Sequence, residues 1–503
     1  MDEDRLPGSQ ENRLMATTTR TPPRSAAPPT DTIPEQPPPV AHLSVAERVA
    51  RGKAARAEVP RSQHARFEPG SKRPDPVQLL EDQATTRVPE LVPIRYGRML
   101  VSAFTFYRGA AMIMASDLAS TPRSGLTVQC CGDAHLSNFG MFASPERRLI
   151  FDLNDFDETL PGPWEWDVKR LVASMLIAAL DSGFSAKEQD RIVLETVGSY
   201  RQAMREFAAM NNLDLWYAHL DVEAVLEKYG PQFKQKAIKR TEKTVAKSRT
   251  RDSMSAFSKL TQMVDGRAEI VDESPLIVPL AKLTGDESAD AVREELRALV
   301  REYRDSLQFD RRVLLQEFEI QDFARKVVGV GSVGTRAWIA LLLGRDGKDP
   351  LFLQIKEAEA SVLEPFLGPS EFPNHGERVV TGQRLMQAAS DIFLGWLHVP
   401  AGLDGRPRDF YVRQLKDWKG SAEIEQMVPK GLATYGQICG WTLARAHARS
   451  GDRIALAAYL GGSDQFDLAI LEFAQAYAEQ NKRDYKTLTD AVGAGKIAVE
   501  EGL

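Results

Sequence analysis

The sequence predicts an α+β protein in which a small antiparallel β lobe accompanies a larger helical lobe. Between Val168 and Leu180, apolar residues recur at the i, i+3, i+4 and i+7 spacing of a helix with one buried face. Residues 320–418 have instead the pattern of short strands separated by glycine-containing turns, with one inserted helix near 376–390. From residue 430 the helical spacing returns. The β-rich segment is therefore set between two helical segments.

Changes in composition divide the chain into four segments. Residues 1–43 are rich in proline and poor in apolar residues, which predicts a disordered tail. We expect residues 44–320 to form the helical lobe with the catalytic and metal-binding loops, and residues 321–418 to form the β-rich nucleotide-binding lobe. Residues 419–503 would complete the helical lobe. With 503 residues, the chain is long enough for two or three packed units.

Charge and cysteine content restrict the partners and the compartment. The net charge is −6, from 64 basic and 70 acidic residues, so no overall field draws the chain to nucleic acid or to an anionic membrane. The three cysteines cannot form a disulfide framework, and no apolar run approaches the roughly 18 residues of a membrane helix. The first residues are acidic and polar, unlike a signal peptide. We expect a cytoplasmic protein that binds neither nucleic acid nor membrane.

Two polar segments carry the main functional signal. "CCGDAHLSNFG" begins at residue 130 after a short predicted strand, and "FDLNDFDE" begins at residue 151 at the end of another, with the predicted loop "HLSNFGMFASPE" between the strands. Asp133 and Asn138 have the D-x-x-x-x-N spacing with which kinase catalytic loops place a base near the acceptor hydroxyl and an amide oxygen on a metal ion. Asp155 or Asp157 could bind the same ion, because magnesium bound to nucleotide phosphates takes only one or two protein carboxylates.

Two other interpretations of the acidic segment stay open. A calcium-binding loop would use the same carboxylates, but Phe156 stands where a third oxygen ligand should fall, and the sharp-turn glycine is missing. Alternatively, the carboxylates cap helices and pair with arginine or lysine, and serve the fold alone. The acidic residues by themselves do not decide between these interpretations.

A glycine-rich turn in the β segment supplies the second half of a phosphate site. Gly329, Gly331 and Gly334 form G-x-G-x-x-G between two predicted strands, where backbone N–H groups can approach phosphate oxygens. A dinucleotide-binding fingerprint would need these glycines to open a helix, whereas the following "TRAWIALLL" has the pattern of a strand. On the returning strand, Lys356 projects from the face opposite the aliphatic residues. In kinases, a lysine on the strand after a glycine-rich hairpin binds the nucleotide phosphates.

These segments together resemble known enzymes. "CGDAHLSNFG" with "FDLNDFDETLPGPWEWDVKRL" resembles the catalytic core of aminoglycoside phosphotransferases and related small-molecule kinases, in which a G-D-x-H-x-x-N loop precedes an I-D-F-D segment and a later Asp. From about residue 45, the whole chain also resembles a bacterial family catalogued as domain of unknown function 2252, on the segments "RYGRM", "CGDAHLSNFG", "NDFDETLPGPWEWD" and "FYVRQLKD". The second resemblance implies no activity. The first implies a two-lobed, protein-kinase-like fold.

The order of the segments differs from that of ordinary kinases. There the glycine-rich lobe precedes the catalytic loop, whereas here it follows. The segment "GQICGWTLARAHARSG", near the C-terminal end, resembles the helix that comes before a kinase catalytic loop. We therefore expect a circularly permuted kinase-like fold, which a chain tolerates where the old termini lie close together and the new ones open at the surface.

The kinase resemblance implies a role for each motif residue. Asp133 would be the catalytic base, His135 a hydrogen-bonding residue of the catalytic loop, and Asp167 a buried brace for that loop. Asn138, Asp155 and Asp157 would bind the magnesium ion, with Asp155 as the principal carboxylate. The residues implied to bind ATP belong to the glycine-rich turn, the strand after it and the connector near the adenine, namely Gly329, Gly331, Gly334, Lys356, Gln414, Leu415 and Lys416.

Three points stay open in the sequence. Lys356 needs an acidic or polar partner, and spacing does not choose between Glu364, Glu377 and Gln383. The segment "RYGRMLVSAFTFYRGA" carries arginines that either line a substrate site or pack on a helix surface. These arginines are Arg95, Arg98 and Arg108. The basic stretch 234–251 is either a solvated helix face or an anion-binding arm.

The sequence therefore predicts an ATP- and Mg²⁺-dependent phosphotransferase that acts on a hydroxyl-bearing small molecule. The main alternative is a catalytically silent, nucleotide-binding scaffold with a kinase-like fold. A third possibility is a nucleotidyl transferase, in which AMP is transferred from a reversed ATP held by the same ligands. The sequence names neither the acceptor nor the oligomeric state.

Overall fold

A computed structural model gives the arrangement of residues 42–284, 294, 297–402, 404–415 and 417–502. The predicted tail, apart from residues 42 and 43, and the predicted ATP-binding residue Lys416 lie outside these described residues. Contacts along the chain join Ser44–Leu503 into one compact unit. None of the helices in the described part of the chain is both long enough and apolar enough to cross a membrane.

Helices make up most of the described chain on both sides of the β segment. Those before residue 320 are α1 (Val45–Glu58), α2 (Pro76–Ala84), α3 (Val92–Met99), α4 (Ala103–Gly109), α5 (Ala111–Leu118), α6 (Trp164–Asp181), α7 (Ala186–Ala209), α8 (Asn212–Tyr217), α9 (Val222–Tyr229), α10 (Gln235–Arg249), α11 (Ser253–Leu260), α12 (Leu280–Thr284) and α13 (Phe309–Gln316). Those after it are α14 (Glu364–Leu367), α15 (His375–Met386), α16 (Pro429–Ser450), α17 (Arg453–Leu460) and α18 (Gln465–Gly493).

The described strands lie in antiparallel sheets, which confirms the predicted α+β class. The strands are β1 (Thr127–Cys130), β2 (Phe139–Ala143), β3 (Leu149–Leu153), β4 (Leu160–Pro163), β5 (Leu220–Asp221), β6 (Thr261–Val264), β7 (Arg267–Ile270), β8 (Ile277–Pro279), β9 (Glu319–Lys326), β10 (Ala337–Leu343), β11 (Pro350–Ala358), β12 (Gly395–Val399) and β13 (Arg408–Gln414). The largest sheet has six strands in the order β12-β13-β11-β10-β9-β8. It therefore takes in β8 as well as the strands predicted for residues 320–418.

Both faces of the six-stranded sheet are covered by other parts of the chain. On one face, Leu353 and Ile355 of β11 pack in an apolar cluster with residues of β9, β12 and β13. On the other face, Phe352 packs in a second cluster with Ala256 of α11 and with β7. Because side chains alternate along a strand, Lys356 lies on the same face as Phe352. The predicted lysine thus faces the α11 side of the sheet.

The glycine-rich turn between β9 and β10 is held against the helical part of the chain. Gly329 and Gly334 have φ values of +70° and +93°, a backbone conformation that residues other than glycine rarely adopt. The Arg98 guanidinium donates to the carbonyl of Gly329 at 2.5 Å. The N–H of Val88 donates to the carbonyl of Gly334 at 2.8 Å. Glycine is needed at these two positions for the turn to close.

Helix α6 lies at the centre of the helical part. Its residues from Trp164 to Ala179 are all buried, where the periodicity predicts a single buried face. The reason is that α7, α16 and α18 pack around α6. A helix that is surrounded in this way must give its charged side chains buried partners. Two of these side chains, Asp167 and Arg170, bind residues 131–138 between β1 and β2, the loop that the sequence predicts to be the catalytic loop.

Helix α16 approaches α7 closely because glycines face Thr196. A Cβ atom on Gly436 or on Gly440 would overlap Thr196. The close approach carries His447, near the end of α16, to 3.1 Å from Asp167 of α6. The position of α16 is therefore coupled to the position of the catalytic loop.

Residues 139–143 correct one expectation. The sequence predicts a loop throughout "HLSNFGMFASPE", but Phe139–Ala143 form β2 and pair with β3. Phenylalanine fits a pleated, half-buried surface, which favours a strand here. The N–H of Met141 also donates to the carbonyl of Gly420 at 2.8 Å, so β2 is bonded on both edges. The loop is therefore shorter than predicted.

Substitution Gly440→Ala tests the close packing of α16 on α7. The added methyl group would collide with the backbone carbonyl of Thr196, which cannot rotate away. We expect the free energy of unfolding, measured by urea denaturation, to fall by about 1–3 kcal/mol. Gly230 has nothing within 4 Å of a Cβ atom and a helical φ of −50°, so Gly230→Ala is the matched control. It should change the free energy by less than about 1 kcal/mol. Equal effects of the two substitutions would contradict the packing.

Candidate functional site

A β hairpin brings the two polar segments together. Phe139 of β2 lies opposite Leu153 of β3, so the residue before β2 and the residues after β3 lie at the same end of the hairpin. The N–H of Asn154 donates to the carbonyl of Asn138 at 2.9 Å. Asn138 and Asp155 are therefore neighbours, as two ligands of one ion must be.

The catalytic loop is held by Asp167 of α6. The carboxylate of Asp167 accepts hydrogen bonds from the backbone N–H groups of Cys131, at 2.6 Å, and Gly132, at 3.0 Å. Gly132 has a φ of +83°, and a Cβ atom there would overlap the carbonyl of Glu158. Only glycine fits this position. The brace that the resemblance implies for Asp167 is therefore present.

Asp133 is oriented by Arg170 from the same helix. The Nε atom of Arg170 donates to the Asp133 carboxylate at 2.8 Å, and the guanidinium lies 3.9 Å from the centre of the Tyr107 ring. The side chain of Asp133 keeps 20% of its surface exposed, while that of Arg170 is buried. The Nδ2 atom of Asn138 donates to the Asp133 backbone carbonyl at 2.8 Å. The oxygen of the Asn138 amide is then available to another ligand.

His135 makes its contacts within the predicted catalytic loop. Its Nδ1 atom accepts a hydrogen bond from the N–H of Ser137 at 3.2 Å, and its Nε2 atom lies 3.8 Å from the Asp133 carboxylate. Burial lowers the pKa of His135 to about 3, so the ring is neutral at pH 7. These contacts agree with the hydrogen-bonding role that the sequence predicts.

Lys356 reaches the acidic segment by a buried ion pair with Asp157. The Nζ atom lies 2.5 Å from Oδ2 of Asp157, and the lysine is only 2% exposed. The hydroxyl of Tyr411 donates to the other carboxylate oxygen at 2.7 Å, and Ser332 of the glycine-rich turn lies 3.4 Å from Oδ2. Burial by itself would raise the pKa of Asp157, but the Lys356 charge and the hydrogen bonds from Lys356 and Tyr411 together outweigh burial and lower the pKa to about 2. Both groups are therefore charged at neutral pH.

The three partners expected for Lys356 are wrong. Glu364 lies 3.9 Å from Arg378, and Gln383 donates to Gln387 at 2.9 Å. The backbone N–H of Glu377 donates to Asn374 at the start of α15. Spacing within the β segment could not reveal the partner, because Asp157 comes from a different part of the chain, 199 residues away.

Asn138 and Asp155 carry oxygen atoms of the type that a divalent cation binds. Burial and the neighbouring Asp157 charge raise the pKa of Asp155, so a bound cation would favour its ionised form. Asp157 is the weaker ligand of the two, because both of its oxygens are already hydrogen-bonded. Among the described residues, no group of three or more His, Cys, Asp and Glu side chains is arranged to hold a metal by itself. A magnesium ion here would need Asn138, Asp155 and oxygens of a substrate or water together.

A cleft of about 830 Å³ connects the catalytic loop with the glycine-rich turn. The predicted site residues that line it are Asp133, His135, Asn138, Asp155, Asp157, Gly329 and Gly331. Gly334 and Lys356 lie behind this lining, and Lys356 contacts the cleft through Asp157. The volume of the cleft falls within the range of about 300–1,000 Å³ that is usual for small-molecule sites.

The predicted adenine-side residues lie away from this cleft. Leu415 is buried in the apolar cluster with α11, and its N–H donates to the carbonyl of Phe352 at 2.9 Å. Gln414 lines a separate cavity with Ser253 and Asp391. Helix α11 and β7 cover the sheet face on which an adenine next to Lys356 would be expected. The cleft thus brings the predicted catalytic loop together with the glycine-rich turn, but it does not include Gln414 and Leu415.

Sequence reasoning missed several residues of this site. Arg170 follows Asp167 by three positions, so a helix places both on one face, and this spacing could have indicated it. Tyr411 and Ser332 gave no such signal, since only the folded chain brings them to Asp157. Glu158 also lines the cleft, and burial raises its pKa to about 7.

The family "Uncharacterized protein conserved in bacteria (DUF2252)" matches residues 87–491. The chain belongs to this family. The match includes the catalytic loop, the acidic segment, the glycine-rich turn and the strand that carries Lys356. No curated protein and no solved structure matches the chain. Membership of DUF2252 thus covers both halves of the cleft.

A double-mutant cycle tests the ion pair between Lys356 and Asp157. We expect Asp157→Asn to lower the free energy of unfolding by about 3–5 kcal/mol, because it leaves the buried ammonium unpaired. The second substitution, Lys356→Met, should cost less in the Asp157→Asn background than in the native protein, with a coupling energy of about 1–3 kcal/mol by urea denaturation.

The exposed pair Lys486 and Asp490 on α18 provides the matched control cycle. The corresponding substitutions there should couple by no more than about 0.5 kcal/mol. Additive effects of the Lys356 and Asp157 substitutions, as small in coupling as those of the control, would show that the two side chains do not interact.

Proposed function

We propose that this DUF2252 protein is an ATP- and Mg²⁺-dependent phosphotransferase that acts on a hydroxyl group of a small molecule. The observation that carries the proposal is that a D-x-x-x-x-N loop, a following acidic residue and a glycine-rich turn line one cleft. A buried lysine, Lys356, contacts this cleft through Asp157. These are the parts with which kinases position a nucleotide and stabilise the charge that develops on the transferred phosphoryl group.

A circularly permuted kinase-like fold accounts for the chain order. The segment expected to precede the catalytic loop is α16, and its last residue, Ser450, accepts a hydrogen bond from the N–H of Gln129 at 3.2 Å. Gln129 belongs to β1, the strand that leads into the loop. A short connection between Ser450 and β1 would therefore restore the order of an ordinary kinase. This proximity is what a permutation requires.

The predicted site residues have separate roles in the proposed reaction. Asp133, held by Arg170, would accept a hydrogen bond from the acceptor hydroxyl and orient it for attack. Asn138 and Asp155 would hold the magnesium ion, which supplies charge neutralisation at the phosphates when bound. Backbone N–H groups of the glycine-rich turn would bind phosphate oxygens. Lys356 would contribute its charge from behind Asp157.

One observation favours the second candidate, a catalytically silent nucleotide-binding scaffold. The sheet face around Lys356 is covered by α11 and β7, and the Asp157 carboxylate is fully hydrogen-bonded. An active kinase of this design must therefore bind the nucleotide along the cleft side of Lys356, or move α11. Turnover separates the two candidates.

Binding and turnover of Mg·ATP test the proposal with two variants. At an ATP concentration about 100 times the dissociation constant, the folded protein should gain about 2.7 kcal/mol, seen as a rise in melting temperature that depends on Mg²⁺. Asp155→Asn should weaken Mg·ATP binding at least about tenfold. Asp133→Asn should keep Mg·ATP binding. It should lower the turnover rate, measured as the slow formation of product from ATP, by about 10²–10⁴-fold.

The control variant is Asp310→Asn, which removes the same charge from an exposed position on α13. It should behave as the native protein does. Release of ADP indicates phosphate transfer, whereas release of pyrophosphate indicates AMP transfer. The absence of any melting shift with ATP or another nucleotide, with and without Mg²⁺, would contradict the proposal. Binding of Mg·ATP without turnover in the native protein would favour the scaffold, whereas turnover that is equal in the native protein and Asp133→Asn would contradict the role proposed for Asp133.

A further inference from the structure

Three arginines in the cleft have buried nitrogen atoms without hydrogen-bond partners. Arg95 lies on α3, Arg108 lies on α4, and Arg87 lies between α2 and α3. All three line the same cleft as Asp133 and the glycine-rich turn. The unpartnered atoms are Nε of each arginine and also Nη1 of Arg95. This cluster, the cleft arginines, is not used by the proposed phosphoryl-transfer machinery.

Arg95 is the most deeply buried of the cleft arginines. It is 1% exposed, and its Nη2 atom donates to the side chain of Gln83 and to the carbonyl of Gly109, both at 3.2 Å. Its two other nitrogens have no partner in the described chain. A guanidinium carries five N–H groups in a fixed fork, so most of this fork remains unsatisfied.

Arg108 and Arg87 add positive charge to the same place. The side chain of Arg108 makes no hydrogen bond to any described residue, and its Nε atom is buried. Arg87 donates from Nη1 to the carbonyl of Val333 at 2.5 Å, while its Nε atom is unpartnered. None of the cleft arginines forms an ion pair with a described carboxylate.

The other cations around the cleft are neutralised, in contrast to the cleft arginines. Arg170 pairs with Asp133, and Lys356 pairs with Asp157. Arg408 pairs with Glu357 in the same way. Each cation of the proposed machinery thus has a carboxylate at ion-pair distance, whereas no described carboxylate lies at that distance from the cleft arginines. Acidic residues such as Asp133 for Arg108 and Glu359 for Arg87 act on them only at longer range.

A bound anion would offset the cost of burying this cluster. Burying a guanidinium without a counter-charge is costly, and an anion that binds its free N–H groups removes that cost. Burial lowers the pKa of all three cleft arginines, which shows that their surroundings disfavour the charge. Guanidinium groups bind phosphate oxygens in bidentate fashion, and several together match a doubly charged phosphate ester.

The cluster lies next to the catalytic loop. Arg108 is close enough to Asp133 for their charges to interact. A Cβ atom on Gly331 of the glycine-rich turn would lie 3.3 Å from the backbone carbonyl of Arg108. An anion on the cleft arginines would therefore be beside the residue that, under the proposed function, orients the acceptor hydroxyl.

We infer that Arg87, Arg95 and Arg108 bind a phosphate group of the acceptor, so that the acceptor is a small phosphorylated molecule with a free hydroxyl. The assignment to the acceptor depends on the proposed function, whereas the phosphate site itself does not. The same chemistry could hold a terminal phosphate of the nucleotide. The experiment distinguishes these two sources.

Inorganic phosphate is the probe, and isothermal titration calorimetry is the measurement. The native protein should bind phosphate, and Arg108→Met should weaken the binding by about 10- to 100-fold. Arg95→Met should have a similar effect. Arg66→Met is the matched control, because Arg66 is exposed and pairs only with exposed Glu68. It should leave phosphate binding unchanged. Arg108 donates no hydrogen bond that the fold could lose, so its variant is expected to fold even if Arg95→Met does not.

Repeating the titration with saturating Mg·ATP separates the sources of the phosphate. Unchanged phosphate affinity in the presence of Mg·ATP supports a site for the acceptor. Competition between phosphate and Mg·ATP would overturn that assignment and place a nucleotide phosphate on the cleft arginines. Phosphate binding that needs Arg108 in a protein that binds no nucleotide would support the phosphate site while removing the proposed function. Failure of the native protein to bind phosphate, or full retention of binding in Arg108→Met, would overturn the inference.

Discussion

The buried ammonium of Lys356 is the constraint on which the candidate site depends. A lysine that is 2% exposed cannot stay charged without an anion, and Asp157 supplies one at 2.5 Å. This pair ties β11 to the loop after β3, two segments separated by 199 residues. Ser332 and Tyr411 contact the same carboxylate. The glycine-rich turn, the sheet and the acidic segment thus meet at one point.

The helical core fixes the other half of the site. Asp167 holds the backbone of the catalytic loop, and Arg170, one turn further along α6, holds the side chain of Asp133. Because α6 is buried on all sides, neither residue can shift without disturbing α7, α16 and α18. Rigid elements that carry a site in this way hold its groups in place before any ligand arrives.

Local pattern predicted much of the fold and the members of each motif, but not their mutual contacts. The glycine-rich hairpin and the face on which Lys356 lies follow from periodicity and spacing within one segment, whereas the buried brace at Asp167 follows from the kinase resemblance. The partner of Lys356 could not be predicted in this way. The candidates considered were near Lys356 in the sequence, whereas Asp157 comes close to it only in the folded chain. Gln414 and Leu415 were expected beside an adenine, yet α11 packs on their side of the sheet. The amino-acid sequence alone does not show which distant segments will pack against each other in this way.

We propose that the acidic segment and the glycine-rich turn form one site for a metal–nucleotide complex. The most direct measurement of this is the anomalous scattering of Mn²⁺ in crystals of the full chain soaked with Mn²⁺ and a non-hydrolysable ATP analogue. We expect a manganese peak within bonding distance of the Asp155 carboxylate and the Asn138 amide oxygen, with analogue phosphates against the glycine-rich turn. A manganese peak and phosphates bound together elsewhere on the protein would contradict it.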